Sequence, residues 1–226
     1  TVRRITARNT SASWRTIPQV TQFAEADVTE LEKYRQRQKQ KIAEAGGKLT
    51  VTAILTKIAA SALQRFPRFN ASYDAASKEI IYKDYIHIGI AVDTDRGLLV
   101  PVIRNVDKKG IKDISVELSD LADRTRNKKV NPDEMEGANF TVSNLGGIGG
   151  TAFTPIVYHP QVAILGIGRA QKRLVPTEGR PAERLILPLA LTYDHRIIDG
   201  ADGARFIVWI ETALEDPLTA LLDGGG

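Results

Sequence analysis

Cysteine is absent from the 226 residues. That excludes disulfides, thiolate metal sites and a cysteine nucleophile, and it is compatible with a reducing compartment without establishing one. Long apolar runs are missing too. None approaches the roughly 18 residues that a membrane-spanning helix needs, so no membrane partner is expected. Histidine occurs only three times, at His87, His159 and His195. No two have metal-ligand spacing, so no metal is expected. There is no internal repeat, no low-complexity linker and no break in composition. A single α/β domain over 1–226 is the economical reading. The first residue is Thr1 rather than Met, which reads as a processed form or an excised domain, and the lack of a targeting segment carries no information.

What is present is ordinary for a globular chain: 42% apolar and 26% charged residues. A chain of this length buries roughly 70% of the surface its unfolded form exposes, so it needs no staples. The formal charge is +4. Basic and acidic residues alternate except over 33–41, where Lys33, Arg35, Arg37, Lys39 and Lys41 recur at every second position. On a helix that spacing spreads charge around the barrel instead of gathering it on one face. With no aromatics interleaved for stacking, it reads as a solvated helix, and no nucleic acid is expected.

Local patterns predict the elements. Thr29-Glu30-Leu31-Glu32 reads as a capping box opening a helix, with Leu31, Tyr34 and Ile42 inward and Gly46-Gly47 ending it. A second helix starts at Thr50 with an apolar stripe of Val51, Ile54, Leu55, Ile58, Ala62, Leu63 and Phe66, stopped by Pro67. Strands follow over 79–82, 86–92 and 98–103. Ser115 reads as the cap of a third helix with Val116, Leu118, Leu121 and Ala122 inward. Further strands are expected over 140–145, 162–167 and 185–193. A last helix over about 202–215 carries Phe206, Ile207, Ile210 and Leu214 on one face, and Asp216-Pro217 ends it.

Four motifs carry candidate chemistry. Gly147-Ile148-Gly149-Gly150-Thr151-Ala152 matches G-x-G-x-x-A after a strand, but a dinucleotide site needs a helix to begin there. Pro155 and Pro160 follow at once, with no helical stripe between them, so a turn allowing close backbone approach is the better reading. His87 alternates with Ile86, Ile88 and Ile90 and reads as a solvated or hydrogen-bonded structural histidine. His159 precedes Pro160, an extended loop position. His195 differs. In Asp194-His195-Arg196-Ile197-Ile198-Asp199-Gly200 it follows a long apolar run and stands four residues ahead of an Asp-Gly turn. Strand, histidine, turn and helix come in the order a poised general base needs, although spacing alone leaves a structural role equally open.

Those residues, read together, resemble the catalytic core of the dihydrolipoamide acyltransferases, the E2 components of 2-oxo acid dehydrogenase complexes. The likeness covers nearly the whole chain. Ile17-Pro18-Gln19-Val20-Thr21-Gln22-Phe23 through Asp27-Val28-Thr29-Glu30-Leu31 is similar to the family's opening segment. His87-Ile88-Gly89-Ile90-Ala91-Val92-Asp93-Thr94 and Gly97-Leu98-Leu99-Val100-Pro101-Val102 are similar to its central strands. Phe140-Thr141-Val142-Ser143-Asn144-Leu145-Gly146 followed by Phe153-Thr154-Pro155-Ile156-Val157 is a further signature, and His195 to Gly200 is the H-x-x-x-D-G motif.

The resemblance implies a fold like chloramphenicol acetyltransferase: a two-layer sandwich of a mixed β-sheet packed with helices, assembled as a trimer. It implies an active site in a channel between neighbouring subunits, entered by coenzyme A from one end and by a lipoyl-lysine arm from the other. His195 would be the general base, Ser143 the hydroxyl that donates to the oxyanion, Asp199 the residue ordering the loop through an ion pair, and Asn144 a channel-lining residue. The glycine run 147–151 and the segment 199–206 look most like acetyl-transferring members, which points to a pyruvate dehydrogenase complex; branched-chain acyl and succinyl transfer stay open. Partners implied are the lipoyl domain and the E1 and E3 enzymes, engaged through lipoyl and peripheral-subunit-binding domains expected to be missing upstream. The compartment implied is a bacterial or archaeal cytoplasm or the mitochondrial matrix.

Departures from the family pattern are Gln19, where many relatives have histidine, Tyr158-His159, and a polar Asp223-Gly224-Gly225-Gly226 tail after Leu218, Leu221 and Leu222. Relatives that build cubic or dodecahedral shells tend to end in an apolar anchor, so the trimer is expected and shell docking is put in doubt. Two rival readings remain: an idle structural core that organises partner enzymes, and a drug-acetylating enzyme of the chloramphenicol type.

Overall fold

The computed structural model describes residues 2–176 and 179–217; the terminal leucines and the polar tail from residue 218 lie outside them. Helix α1 (Val2–Thr16) leads into β1 (Gln19–Asp27), then α2 (Thr29–Glu44) and α3 (Val51–Arg65). The hairpin β2 (Ala71–Asp74) and β3 (Glu79–Tyr82) precedes β4 (Ile88–Ile90), β5 (Val102–Ile103) and α4 (Ile111–Arg126). The chain closes with β6 (Phe140–Asn144), β7 (Ala163–Ile167), β8 (Gln171–Val175), β9 (Ala182–Asp194) and α5 (Gly200–Glu215).

Seven strands form one mixed sheet in the order β1-β9-β7-β6-β4-β5, with β8 also paired to β9, while β2 and β3 form a separate hairpin. The β4–β6 and β6–β7 pairs are parallel and the others antiparallel. Side chains alternate across a strand, so each strand has two faces. Phe140, Val142, Leu165, Leu189, Leu191 and Tyr193 face a layer built from α2 to α5, whose Leu31, Leu55, Leu118 and Phe206 complete one core. Each buried Leu or Phe there contributes about 1.5–3 kcal/mol. Thr141, Ser143, Ile164, Gly166 and Thr192 take the opposite face. There a small cluster of Ile17, Val157 and Ile164 packs, Thr21 Oγ1 meets Thr192 Oγ1 at 2.7 Å, and the Thr141 hydroxyl donates to Gln161 Oε1 at 2.7 Å.

Proline inside β9 has a local reason. The Pro188 carbonyl accepts from Gly168 N (3.0 Å), so the edge of Pro188 that lacks an N–H faces the gap where β9's partner changes from β7 to β8.

Several local expectations are corrected. Thr29 does not cap α2, because its hydroxyl is used twice elsewhere. It donates to Asp27 Oδ1 (2.5 Å) and accepts from Leu185 N (2.8 Å), tying the end of β1 to β9, and Val28 takes the cap position with no side-chain bond. Tyr34 is exposed. Ser115 lies one turn inside α4 with its hydroxyl on Ile111 O (2.7 Å), since the helix starts from Gly110. The strands expected over 86–92 and 98–103 shorten to β4 and β5, joined beyond them by a single Val92–Leu99 bridge. Helix α1 and strands β1, β2 and β8 carry no element in the sequence reading. Thr50 does cap α3, accepting from Ala53 N (3.1 Å). Among the described residues no helix is long and apolar enough to cross a membrane.

Helix α5 rests on β9 through Gly203. A Cβ there would lie 2.6 Å from Tyr193 Cε1 and 2.8 Å from Gln22 Oε1. Gly203→Ala should therefore cost about 1–3 kcal/mol by overpacking and lower Tm by about 2–12 °C. An unchanged calorimetric melting point would contradict the close approach.

Candidate active site

His195 stands where the longest strand stops. Its N–H donates to Pro18 O (3.0 Å), and the carbonyl of Asp194 accepts from Ile197 N (3.1 Å) and Ile198 N (3.0 Å). Ile197 and Ile198 are buried and anchor the turn, while His195 is exposed. Its ring tilts toward Tyr193 at 6.0 Å between centroids, and no group among the described residues hydrogen-bonds its nitrogens. A short apolar-anchored turn thus presents a free imidazole.

Both neighbours of His195 are charged and paired. Asp194 is 1% exposed and takes Arg196 Nε at 2.9 Å, Arg196 Nη2 at 2.6 Å and Arg196 N at 3.0 Å. A buried carboxylate needs that compensation. Asp194 in turn holds the guanidinium in its charged form. Sequence reasoning gave this pair no role, although opposite charges flanking a strand-end histidine were the available signal.

Asp199 is the N-cap of α5, its carboxylate accepting from Asp202 N at 2.8 Å. This backbone hydrogen bond holds its carboxyl below the ordinary range. The ion pairs at this corner belong to Asp202, which meets Arg68 (2.8 Å) and Arg205 (3.0 Å). Among the described residues Asp199 thus acts as a helix cap, with the Arg205 and Arg68 charges nearby also favouring its carboxylate. Tyr193, buried beside it, is raised by desolvation and then by the Asp199 charge.

Ser143 lies on β6, 8% exposed, and its hydroxyl has no partner among the described residues. It pairs with Gly166, which pairs with Ala190. His195 lies five residues further along the chain, just past the end of β9, so strand geometry separates the two by roughly 19 Å within one chain. One chain alone does not bring them together. Asn144 is a brace: its Nδ2 donates to Thr52 Oγ1 (2.8 Å) and its Oδ1 accepts from Gly146 N (2.8 Å), tying the end of β6 to α3 and to the glycine turn.

The glycine run is a turn and the two remaining histidines lie outside this corner. Residues 146–150 form a turn with Gly149 and Gly150 at positive φ, stapled by Arg169 onto Gly146 O (3.2 Å) and Ile148 O (3.0 Å), and no helix starts there. His87 is a hydrogen-bonded structural residue, its Nδ1 accepting from Asn105 N at 3.0 Å; burial lowers its pKa. His159 sits in a turn beside Pro160. Among the described residues no three His, Asp or Glu side chains converge as a metal site.

The fold, a mixed sheet packed with helices, is similar to that of chloramphenicol acetyltransferase, which superposes over 92% of both chains with a TM-score of 0.56 at 18% identity. Residues 1–222 match the family of 2-oxoacid dehydrogenase acyltransferases (catalytic domain), and the chain belongs to it. It is 50% identical over 216 residues to the dihydrolipoyllysine-residue acetyltransferase component of the pyruvate dehydrogenase complex of Pseudomonas aeruginosa; the match spans 96% of this chain but 40% of that relative.

A dihydrolipoamide acetyltransferase structure from Azotobacter vinelandii superposes with a TM-score of 0.93 at 49% identity, covering 96% of this chain and 90% of that one. The cubic core of a pyruvate dehydrogenase multienzyme complex gives the same figures. In the Azotobacter protein a serine, a histidine and an asparagine have been investigated for roles in the catalytic mechanism. They follow one another at the spacing that separates Ser143, His195 and Asp199 here.

Asp199 thus stands where that relative has an asparagine. A depressed carboxyl contributes stability above the ordinary carboxylate range and loses it as pH falls through its folded value. Asp199→Asn keeps a capping side chain without titrating. It should lose less stability than the parent chain between about pH 5 and pH 3; equal losses in urea titrations at the two pH values would refute the cap's contribution.

Proposed function

We propose that this chain is the catalytic core of a dihydrolipoamide acetyltransferase, moving an acetyl group between dihydrolipoamide and coenzyme A within a pyruvate dehydrogenase complex. The observation that carries the reading is the free imidazole of His195 on its anchored strand-end turn, at matching spacing from Ser143 and Asp199 to the residues studied in the Azotobacter relative. Both substrates are thiols or their thioesters, and a free thiol with pKa about 8.5 needs a base near neutral pH.

His195 takes the thiol proton of coenzyme A, and the sulfur attacks the thioester carbonyl of S-acetyldihydrolipoamide. The carbonyl oxygen becomes an oxyanion, to which the Ser143 hydroxyl donates. That donation is worth about 3 kcal/mol of barrier. Collapse breaks the carbon–sulfur bond to dihydrolipoamide, whose thiolate recovers the proton from the imidazolium. Ser143 forms no acyl-enzyme, and Asp199 keeps the turn in place.

Because one chain holds His195 and Ser143 roughly 19 Å apart, the reading requires a second copy to complete each site. The surface of a single chain supports this. Helix α1 buries only Ser13, and Trp14, Phe23 and Ile156 are exposed on or beside it and β1, an apolar surface suited to self-association. We assign this face to the trimer. The wider assembly of trimers into a shell, the lipoyl-lysine carried on a separate domain, and contact with E1 and E3 belong to the same reading.

His195→Ala should abolish acetyl transfer from acetyl-coenzyme A to dihydrolipoamide. Ser143→Ala should lower kcat about a hundredfold with KM little changed. Full residual activity in His195→Ala, or transfer to chloramphenicol in preference to dihydrolipoamide, would overturn the assignment. Light scattering should return three times the chain mass or a multiple of it; a monomer would leave the site incomplete.

A further inference from the structure

Arg196 is bound on two sides. On one, its Nε, Nη2 and backbone N–H all converge on the buried Asp194 carboxylate. On the other, its guanidinium lies 4.6 Å from the centre of the Tyr73 ring, a cation–π contact. Tyr73 belongs to the β2–β3 hairpin, which is not part of the main sheet. That hairpin is fastened to the body by buried amides. Asn70 Nδ2 donates to Lys83 O (2.9 Å) and Tyr85 O (3.2 Å). Asn139, just ahead of β6, donates to Asn70 Oδ1 and accepts from His87 N (2.6 Å). A surface cleft of about 450 Å³ separates the hairpin from the His159-Pro160 turn, with Arg196 among its lining residues.

The two partners Asp194 and Arg196 are the residues immediately before and after His195. Their side-chain bonds therefore close a small ring through the His195 backbone. Rotation of that backbone would break the fork on a carboxylate that has little access to water. We propose that Arg196, held by Asp194 and backed by Tyr73, is a positioning residue for His195, so that the β2–β3 hairpin sets where the imidazole stands. The proposal rests on His195 being the base. It assigns no contact between Arg196 or Tyr73 and either substrate.

Two substitutions test it. Arg196→Lys keeps the charge but loses the planar two-point fork, and Tyr73→Leu removes the aromatic face while leaving Asp194 paired. Arg196→Lys should lower kcat about tenfold or more, the scale on which small misplacements of a reacting group act, with both KM values within about twofold. Tyr73→Leu should act in the same direction and more weakly. The double variant should be no worse than Arg196→Lys alone, because Tyr73 works through Arg196.

A second readout does not need activity. With only three histidines in the chain, carbon-13 histidine labelling resolves the His195 ring, assigned by its loss in His195→Ala. Its resonance should shift or broaden in both variants while His87 stays unchanged. Unaltered His195 signals, a kcat within twofold of the parent, or independent multiplying effects in the double variant would overturn the proposal. An inactive parent chain with altered His195 signals would instead overturn the acetyltransferase reading and leave the bracket standing. If Arg196→Lys fails to fold, Tyr73→Leu decides by the same signals.

Discussion

Strand β9 is paired along both edges, and much else in the molecule follows from that. Nine of its 13 residues, 186–194, meet β1 on one side, while β8 and then β7 take the other, so most of its backbone is hydrogen-bonded and its register is shared by three partners. A strand so constrained cannot slip, since a one-residue shift would turn Leu189, Leu191 and Tyr193 from the core to the open face. The point where it stops is therefore defined, and His195 is the first residue beyond it. Pro188 is tolerated only because the missing donor falls where the partner changes.

Beyond that strand end, polar groups take over from pairing. Pro18 receives the His195 N–H, Asp194 closes onto Arg196, and Asp199 opens α5 by accepting from Asp202 N. Ile197 and Ile198 anchor the turn from below, so the histidine is lifted out on a buried apolar support. Ser143 is held with similar economy: Asn144 braces the strand end to α3 and to the glycine turn. Within one chain the two residues assigned to the proposed chemistry stand far apart, each beside its own local hydrogen bonds. The exposed Trp14 and Phe23 therefore bear on the proposed site as well as on the proposed assembly.

Local sequence was informative where one residue does one thing. Thr50 caps a helix because nothing else competes for its hydroxyl, and Pro67 ends that helix wherever it is placed. Thr29 and Ser115 misled because the same hydroxyl chemistry had other uses. Thr29 stitches β1 to β9, and Ser115 bonds back within α4. Strand β1 escaped notice because its residues are half polar, and α1 because only Ser13 of its length is buried. Neither has a one-sided apolar stripe within its own chain. β8 follows Gly168 so closely that it reads as a loop.

Asp194-His195-Arg196 and the Asp199-Gly200 turn were legible as a strand-end histidine ahead of a helix, because an apolar run, a turn signal and a helical stripe are each local patterns. The four motifs also sufficed to suggest the family. The roles inside the motif were not legible. Asp199 as a cap, Asn144 as a brace and the Asp194–Arg196–Tyr73 stack depend on groups 2 to more than 100 residues apart meeting in space. The Asp199 cap and the Asp194–Arg196 pair are local, but several side chains compete for such local bonds and the folded turn selects among them. The Asn144–Thr52 and Arg196–Tyr73 contacts join segments far apart in sequence and are set by how strands and helices pack, which only the tertiary structure decides.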